Sequence, residues 1–137
     1  MNFSKTSKYA LRILSHMAKD ETAQYSAQQL HEDINIPVRY LRRLLTDLSK
    51  SGFIKSTHGR NGGFTFSRSA SQIFLSEIVD SVDGFESING CILGYDSCAF
   101  DYKCPMHVIW QETKQKVINT LKNTSLHDLR KNDLVFD

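Results

Sequence analysis

Cys91, Cys98 and Cys104 are the chain's three cysteines, and they fall within one window of 14 residues that Pro105-Met106-His107 follows. Three thiols and an imidazole make a metal-ligand set. Zinc sites favour cysteines two to four residues apart, and Cys91-x6-Cys98-x5-Cys104 contains no such pair. Gaps of six and five suit a chain wrapped around a larger inorganic group, such as an iron–sulfur cluster. Cys104 and His107 are three apart at the opening of a predicted helix, so both can face one point. A mixed Cys/His set would raise the potential of such a cluster, because imidazole carries less charge than thiolate. Two other uses of these residues stay open, free redox-active thiols and zinc in a loose Cys3His site, and a cluster held here could also serve electron transfer or sulfur relay. The neighbours Gly94, Asp96, Ser97, Asp101, Tyr102 and Lys103 form a polar setting, which speaks against small buried hydrophobes. Asp96 and Asp101 are alternative fourth donors. The odd count argues against a disulfide framework.

The remaining titratable residues offer little. His16 and His31 fall on predicted helix surfaces, and His127 lies near the C-terminus. No Ser/His/Asp order and no carboxylate pair stands out. Hydrolysis and group transfer are therefore not expected, nor is a small-molecule substrate; the chain reads as a non-enzyme.

A second chemistry comes from arginine. Over residues 37–50, Val38, Leu41, Leu44, Leu45 and Leu48 share one side of a helix. Arg39, Arg43, Thr46 and Lys50 fall within about 30° of the opposite direction, with Arg42 on one flank and Asp47 on the other. Arginine can read guanine O6 and N7 in the major groove, or grip phosphate. A solvated helix face would look the same in isolation, so the flanking elements decide.

Those elements point one way. Ser4 to Lys19 has Tyr9, Ile13, Leu14, Met17 and Ala18 on one side and Lys5, Lys8, Arg12 and Lys19 on the other, which predicts a first helix. Ser26-Ala-Gln-Gln29 is a capping box that opens a short second helix with Ala27, Leu30 and Ile34 inward. Asn35-Ile36 is the turn, and Pro37 suits the first position of the third helix. Ser51-Gly52 ends it. Phe53 to Thr57 and Phe64 to Ser67 then read as two strands around the turn His58-Gly59-Arg60-Asn61-Gly62-Gly63. Gly62 and Gly63 are expected to shape that turn through positive φ. His58 and Arg60 at its tip are cations of the kind that a narrow minor groove attracts. Two short helices, a tight turn and a Gly-rich hairpin describe a winged helix-turn-helix. A fourth helix covers Leu75 to Val82. A loop without periodicity follows and holds the cysteines. A long helix runs from Pro105 to about Lys122, with Met106, Trp110, Val117 and Leu121 in one stripe and Ile109 and Ile118 at its edges. A long helix outside the winged unit needs a partner, so this stripe is expected to form a dimer interface.

The predicted fold is thus mostly α with a small β-hairpin, a winged helix-turn-helix joined to a long C-terminal dimerisation helix. Residues 1–84 form the DNA-binding domain, 85–104 the cluster-binding loop, and 105–137 the dimerisation helix and tail. At 137 residues, with 40% hydrophobic and 23% charged, the composition is that of a globular protein. Residues 1–68 hold 11 Lys/Arg against five Asp/Glu, a net +6, whereas residues 69–137 hold six against ten, a net −4. Only the first half suits a polyanion. No apolar run approaches the ~18 residues of a membrane span, and the charged start is unlike a signal peptide. A cytoplasmic location with no membrane contact is expected.

Four stretches, in order, resemble the IscR/NsrR family of winged-helix iron–sulfur regulators. They are Thr6-Ser7-Lys8-Tyr9-Ala10-Leu11; Ile36-Pro37-Val38-Arg39-Tyr40-Leu41; Gly59-Arg60-Asn61-Gly62-Gly63-Phe64; and Cys91…Cys98…Cys104 with His107 and Trp110. The resemblance runs from about Met1 to Leu129. It implies a homodimer held by the long helices, and double-stranded DNA with an imperfect palindromic operator as partner. It also implies an iron–sulfur cluster, with 2Fe–2S the expected type, whose state or presence tunes DNA affinity in response to iron–sulfur status, redox state or nitric oxide. By the same resemblance Cys91, Cys98 and Cys104 are cluster ligands. Some members complete the set with a histidine matching His107. Others use an N-terminal carboxylate supplied across the dimer, for which Lys8 stands here and cannot substitute. Two further departures concern DNA. The family usually has Arg or Lys before the wing glycine, where this chain has His58, and Arg60 can stand in. Arg42 and Arg43 replace an acidic and an amide residue, so the operator should differ.

Overall fold

The computed structural model describes residues 3–60, 62–85, 88 and 90–131. Helix α1 spans Lys5–Met17, and its N-cap Ser4 accepts the Ser7 N–H at 3.1 Å. Its inward face is Ser7, Ala10, Ile13, Leu14 and Met17. Helix α2, Ala27–Ile34, opens on Ser26, whose hydroxyl oxygen accepts the Gln29 N–H at 3.0 Å. Asn35, at φ 55°, closes it in the left-handed region that asparagine tolerates. Pro37 sits one place earlier than its fixed φ suggests: it is the N-cap of α3, Val38–Lys50, not its first helical residue.

Strands β1, Ile54–Thr57, and β2, Gly63–Phe66, pair antiparallel, with Ile54 opposite Phe66 and Thr57 opposite Gly63. Tyr25, just before α2, adds a short third edge. Its N–H donates to Phe64 O at 3.0 Å, and the Phe64 N–H returns to Tyr25 O at 2.8 Å. A 3-10 turn at Ala70–Gln72 leads to α4, Leu75–Val82. Glu77 caps that helix by accepting the Phe74 N–H at 2.9 Å, and it pairs with Arg68 at 3.0 Å. Helices α5, Pro105–Asn123, and α6, Leu126–Lys131, complete the described chain. This is the expected mostly helical fold with a two-stranded wing and a long C-terminal helix. No helix among the described residues is long and apolar enough to cross a membrane.

Two apolar clusters hold these elements. The larger joins α1, α2, α3, β1 and the 3-10 turn through fully buried side chains such as Ile13, Leu14, Leu30, Leu41, Leu45 and Ile73. Each such side chain contributes about 1.5–3 kcal/mol by leaving water. The smaller gathers Val79, Ile88, Trp110, Ile118 and Leu121 between α4 and α5. Helix α4 is the wall between them, since Ile78 enters the first cluster and Val79 the second.

The smaller cluster takes up part of the sequence-derived stripe within a single chain. Trp110 and Leu121 are 3% and 8% exposed within a single chain, and Val117 packs beside them. Trp110 and Leu121 pack with Val79 of α4, and Val117 is half-buried. Met106 of the stripe stays open at 41% exposure, with Ile109 at its edge and Val108 beside it both at 57%.

A candidate nucleic-acid interface and a cysteine-lined cavity

Helix α3 is positioned by contacts from α1 and from its own turn. The Arg12 guanidinium donates to Ile34 O at 2.9 Å, at the end of α2. His16 Nε2 meets Asp33 at 3.0 Å, and His31 Nδ1 donates to Ile36 O at 2.6 Å inside the α2–α3 turn. Both histidines, expected on open helix surfaces, are half-buried fasteners of the helix-turn-helix. The hydroxyls of Thr6 and Tyr40 bond to each other, and Tyr9 meets Tyr40 edge-on at 5.3 Å.

With its apolar face buried, α3 turns Arg39, Arg42, Arg43, Thr46 and Lys50 to solvent. None of the four cationic groups has an ion-pair partner among the described residues. They stay available to a polyanion. Thr46 donates its hydroxyl proton to Arg42 O at 3.0 Å, so only its oxygen lone pairs point outward.

The wing presents His58 and Arg60, both exposed; Asn61 lies outside the described residues. Its glycines work differently from the expectation. Gly59 takes the positive φ, at 115°. Gly62 and Gly63 serve close approach: a Cβ on Gly62 would lie 2.3 Å from Thr57 O, and one on Gly63 2.9 Å from Tyr25 O. The hairpin therefore has room for backbone only where it folds against itself and against the Tyr25 edge.

At the other end of the molecule, Cys91, Cys98, Cys104 and His107 all line one cavity of about 200 Å³. Trp110 and the loop aromatics Tyr95, Phe100 and Tyr102 share its wall. Asp96 also lines it, and Asp101 does not. Cys104 is the N-cap of α5, and its carbonyl accepts the His107 N–H at 2.9 Å, so the helix start fixes this pair. The Cys98 sulfur accepts the Tyr102 N–H at 3.1 Å. Backbone N–H groups of Leu93, then Tyr95 and Gly94, lie toward exposed Cys91 and lower its thiol from the ordinary thiol range, and the Gly94 N–H donates to Cys91 O at 2.9 Å. Among the described residues no three His, Cys, Asp or Glu side chains are gathered closely enough to hold one metal ion. In kind the donors nonetheless suit an iron–sulfur group: soft thiols and an imidazole lining one space.

Two connections between cavity and reading head were not legible in the sequence. The Trp110 indole N–H donates to Gly90 O at 2.7 Å, pinning the chain just before Cys91 to α5. At the end of α4, Asp83 accepts the hydroxyls of Ser4 and of fully buried Ser7 at the start of α1. A carboxylate eight residues before Cys91 gave the only signal, and nothing local marks its partners.

Residues 3–132 match the Rrf2 family, described as iron-dependent transcriptional regulators. The chain is 27% identical, over its whole length and 84% of the relative, to the HTH-type transcriptional regulator IscR of Xenorhabdus nematophila. Among solved structures it is similar to CymR, the global cysteine regulator of B. subtilis. The TM-score is 0.77 at 23% identity, covering 96% of this chain and 97% of that one. T. potens IscR superposes at TM-score 0.74 and 21% identity over 96% and 88%. The structural likenesses establish the winged-helix fold, and the match over nearly the full length establishes the lineage: the chain belongs to the Rrf2 family of iron-dependent transcriptional regulators.

Proposed function

We propose that the chain is a homodimeric DNA-binding regulator whose operator affinity is set by an iron–sulfur cluster, of 2Fe–2S type, held by Cys91, Cys98, Cys104 and His107. The observation that carries this reading is the cavity: three thiols of the loop and the imidazole at the start of α5 line one space. An iron–sulfur group held there would supply a centre that can be reduced, oxidised, nitrosylated or lost. This chain's residues do the rest. Arg39, Arg42, Arg43, Thr46 and Lys50 grip and read the major groove of double-stranded DNA, and His58 and Arg60 reach for the minor groove. Two copies read the two halves of an imperfect palindrome. The exposed apolar side of α5, Met106 with Val108 and Ile109, faces the second copy. A regulator of this kind works in the cytoplasm, beside its DNA.

Trp110 and Asp83 are the links by which the order of the cysteine loop biases the reading head. Cys91, Cys98, Cys104 and His107 would hold the group, while Trp110 ties Gly90, just before Cys91, to α5 and Asp83 ties the end of α4 to α1.

Protein purified without oxygen should be brown and contain matching iron and sulfide. Removing the cluster should change its affinity for the operator. His107→Ala should alter the visible spectrum; an unchanged spectrum would move the fourth ligand to Asp96. One observation favours a second reading, a metal-free thiol-based redox repressor: Cys91 is exposed and its thiolate is favoured by three amides. Colourless protein that binds its operator tightly, and loses that affinity on thiol oxidation, would establish this alternative.

A further inference from the structure

The segment between Cys98 and Cys104 holds a backbone that one of its residues disfavours. Asp101 has φ 51° and Tyr102 φ 62°. Aspartate tolerates the left-handed region because its short side chain bonds locally, but a tyrosine there crowds Cβ against the backbone. Burial does not offset this cost, since Tyr102 is 66% exposed. Two contacts engage it instead. Its N–H donates to the Cys98 sulfur at 3.1 Å. Its ring meets the His107 imidazole edge-on, with centroids 5.2 Å apart and 64° between the planes. The left-handed bend sends the amide back toward Cys98 while the ring reaches the first turn of α5.

From this geometry we propose that Tyr102 is the positioning residue of the donor set, its amide fixing the sulfur of Cys98 and its ring fixing the imidazole of His107. The inference rests on reading these side chains as cluster ligands and deepens it: one residue orients two donors from different elements. An N–H directed at a ligating sulfur draws off charge and favours the reduced form, and contacts behind a ligating imidazole fix its orientation.

The test uses the full chain in two states, as purified without oxygen and after chelation to the metal-free form. Tyr102→Phe keeps both contacts. Tyr102→Gly keeps the left-handed amide and removes the ring. Tyr102→Pro removes the N–H and forbids positive φ. In metal-free protein, His107 ring-proton resonances should hold their wild-type positions in Tyr102→Phe and shift in Tyr102→Gly as the ring current disappears. In loaded protein, the reduction potential should be unchanged in Tyr102→Phe and lowered in Tyr102→Pro. Unmoved His107 resonances in Tyr102→Gly, or an unmoved potential in Tyr102→Pro, overturns the proposal. Wild-type protein purified without iron and sulfide would instead overturn the ligand reading, and the resonance comparison would then decide alone whether Tyr102 positions His107.

Discussion

The fold alters the acidity of the Cys91 thiol. The amides of Leu93, Tyr95 and Gly94 favour its thiolate, so the native thiol loses its proton at lower pH than the unfolded one. Between those two values unfolding takes up a proton. This contribution to stability is therefore complete above the unfolded thiol's pKa and lost as the pH falls through the lowered one. Alkylation by iodoacetamide, followed residue by residue by mass spectrometry, should give Cys91 in metal-free protein a pH midpoint below that of the same thiol in urea. Equal midpoints would mean that the three amides do not engage the sulfur in solution. At this scale the sequence is informative. Residue type and spacing are enough to nominate Cys91, Cys98, Cys104 and His107, because ligand chemistry belongs to the side chain itself. The amides around Cys91 and the Tyr102 contacts are hidden from it, because they depend on how a loop without periodic pattern folds.

Among the elements, the wing shows what a sequence pattern can and cannot carry. Alternation and glycines predict two strands and their turn, and β1 and β2 follow within a residue. The reason for Gly63 escapes the pattern, because turn chemistry is local while the Tyr25 edge arrives from before α2. Gly62→Ala and Gly63→Ala should each destabilise the protein by about 1–3 kcal/mol, since the added carbon meets a backbone oxygen that cannot step aside. Denaturant unfolding measures this; wild-type stability for both variants would show that the hairpin is looser than described. The α5 stripe meets a related limit. Helical periodicity says that Trp110 and Leu121 share a face, but not which surface covers it. Helix α4 covers it, and that packing gives the cysteine loop a rigid neighbour joined through Asp83 to α1.

For the whole molecule, the charge split sets the division of labour: a basic reading head and an acidic half that carries the cysteines. Replacing Arg39 and Arg43 together with alanine should weaken DNA binding. It should also flatten the plot of log affinity against log salt, by about one unit of slope for each phosphate that is no longer neutralised. Affinity and slope both like wild type would remove α3 from the interface. The proposed reading of a palindrome needs two heads at fixed spacing, and one chain supplies only one. The described structure leaves Met106, Val108 and Ile109 uncovered along the first turns of α5, beside the exposed loop residues Leu93, Tyr95, Phe100 and Tyr102. A patch of that kind marks an interaction site. The double substitution Val108→Glu, Ile109→Glu should therefore produce monomers in analytical ultracentrifugation. Neither side chain belongs to the two buried clusters, so circular dichroism should report an intact fold. Operator affinity should fall far more than affinity for a single half-site, because the second head is no longer delivered with the first. A variant that stays dimeric would place the interface on another face of the chain, and the exposed side of α5 would need a different partner.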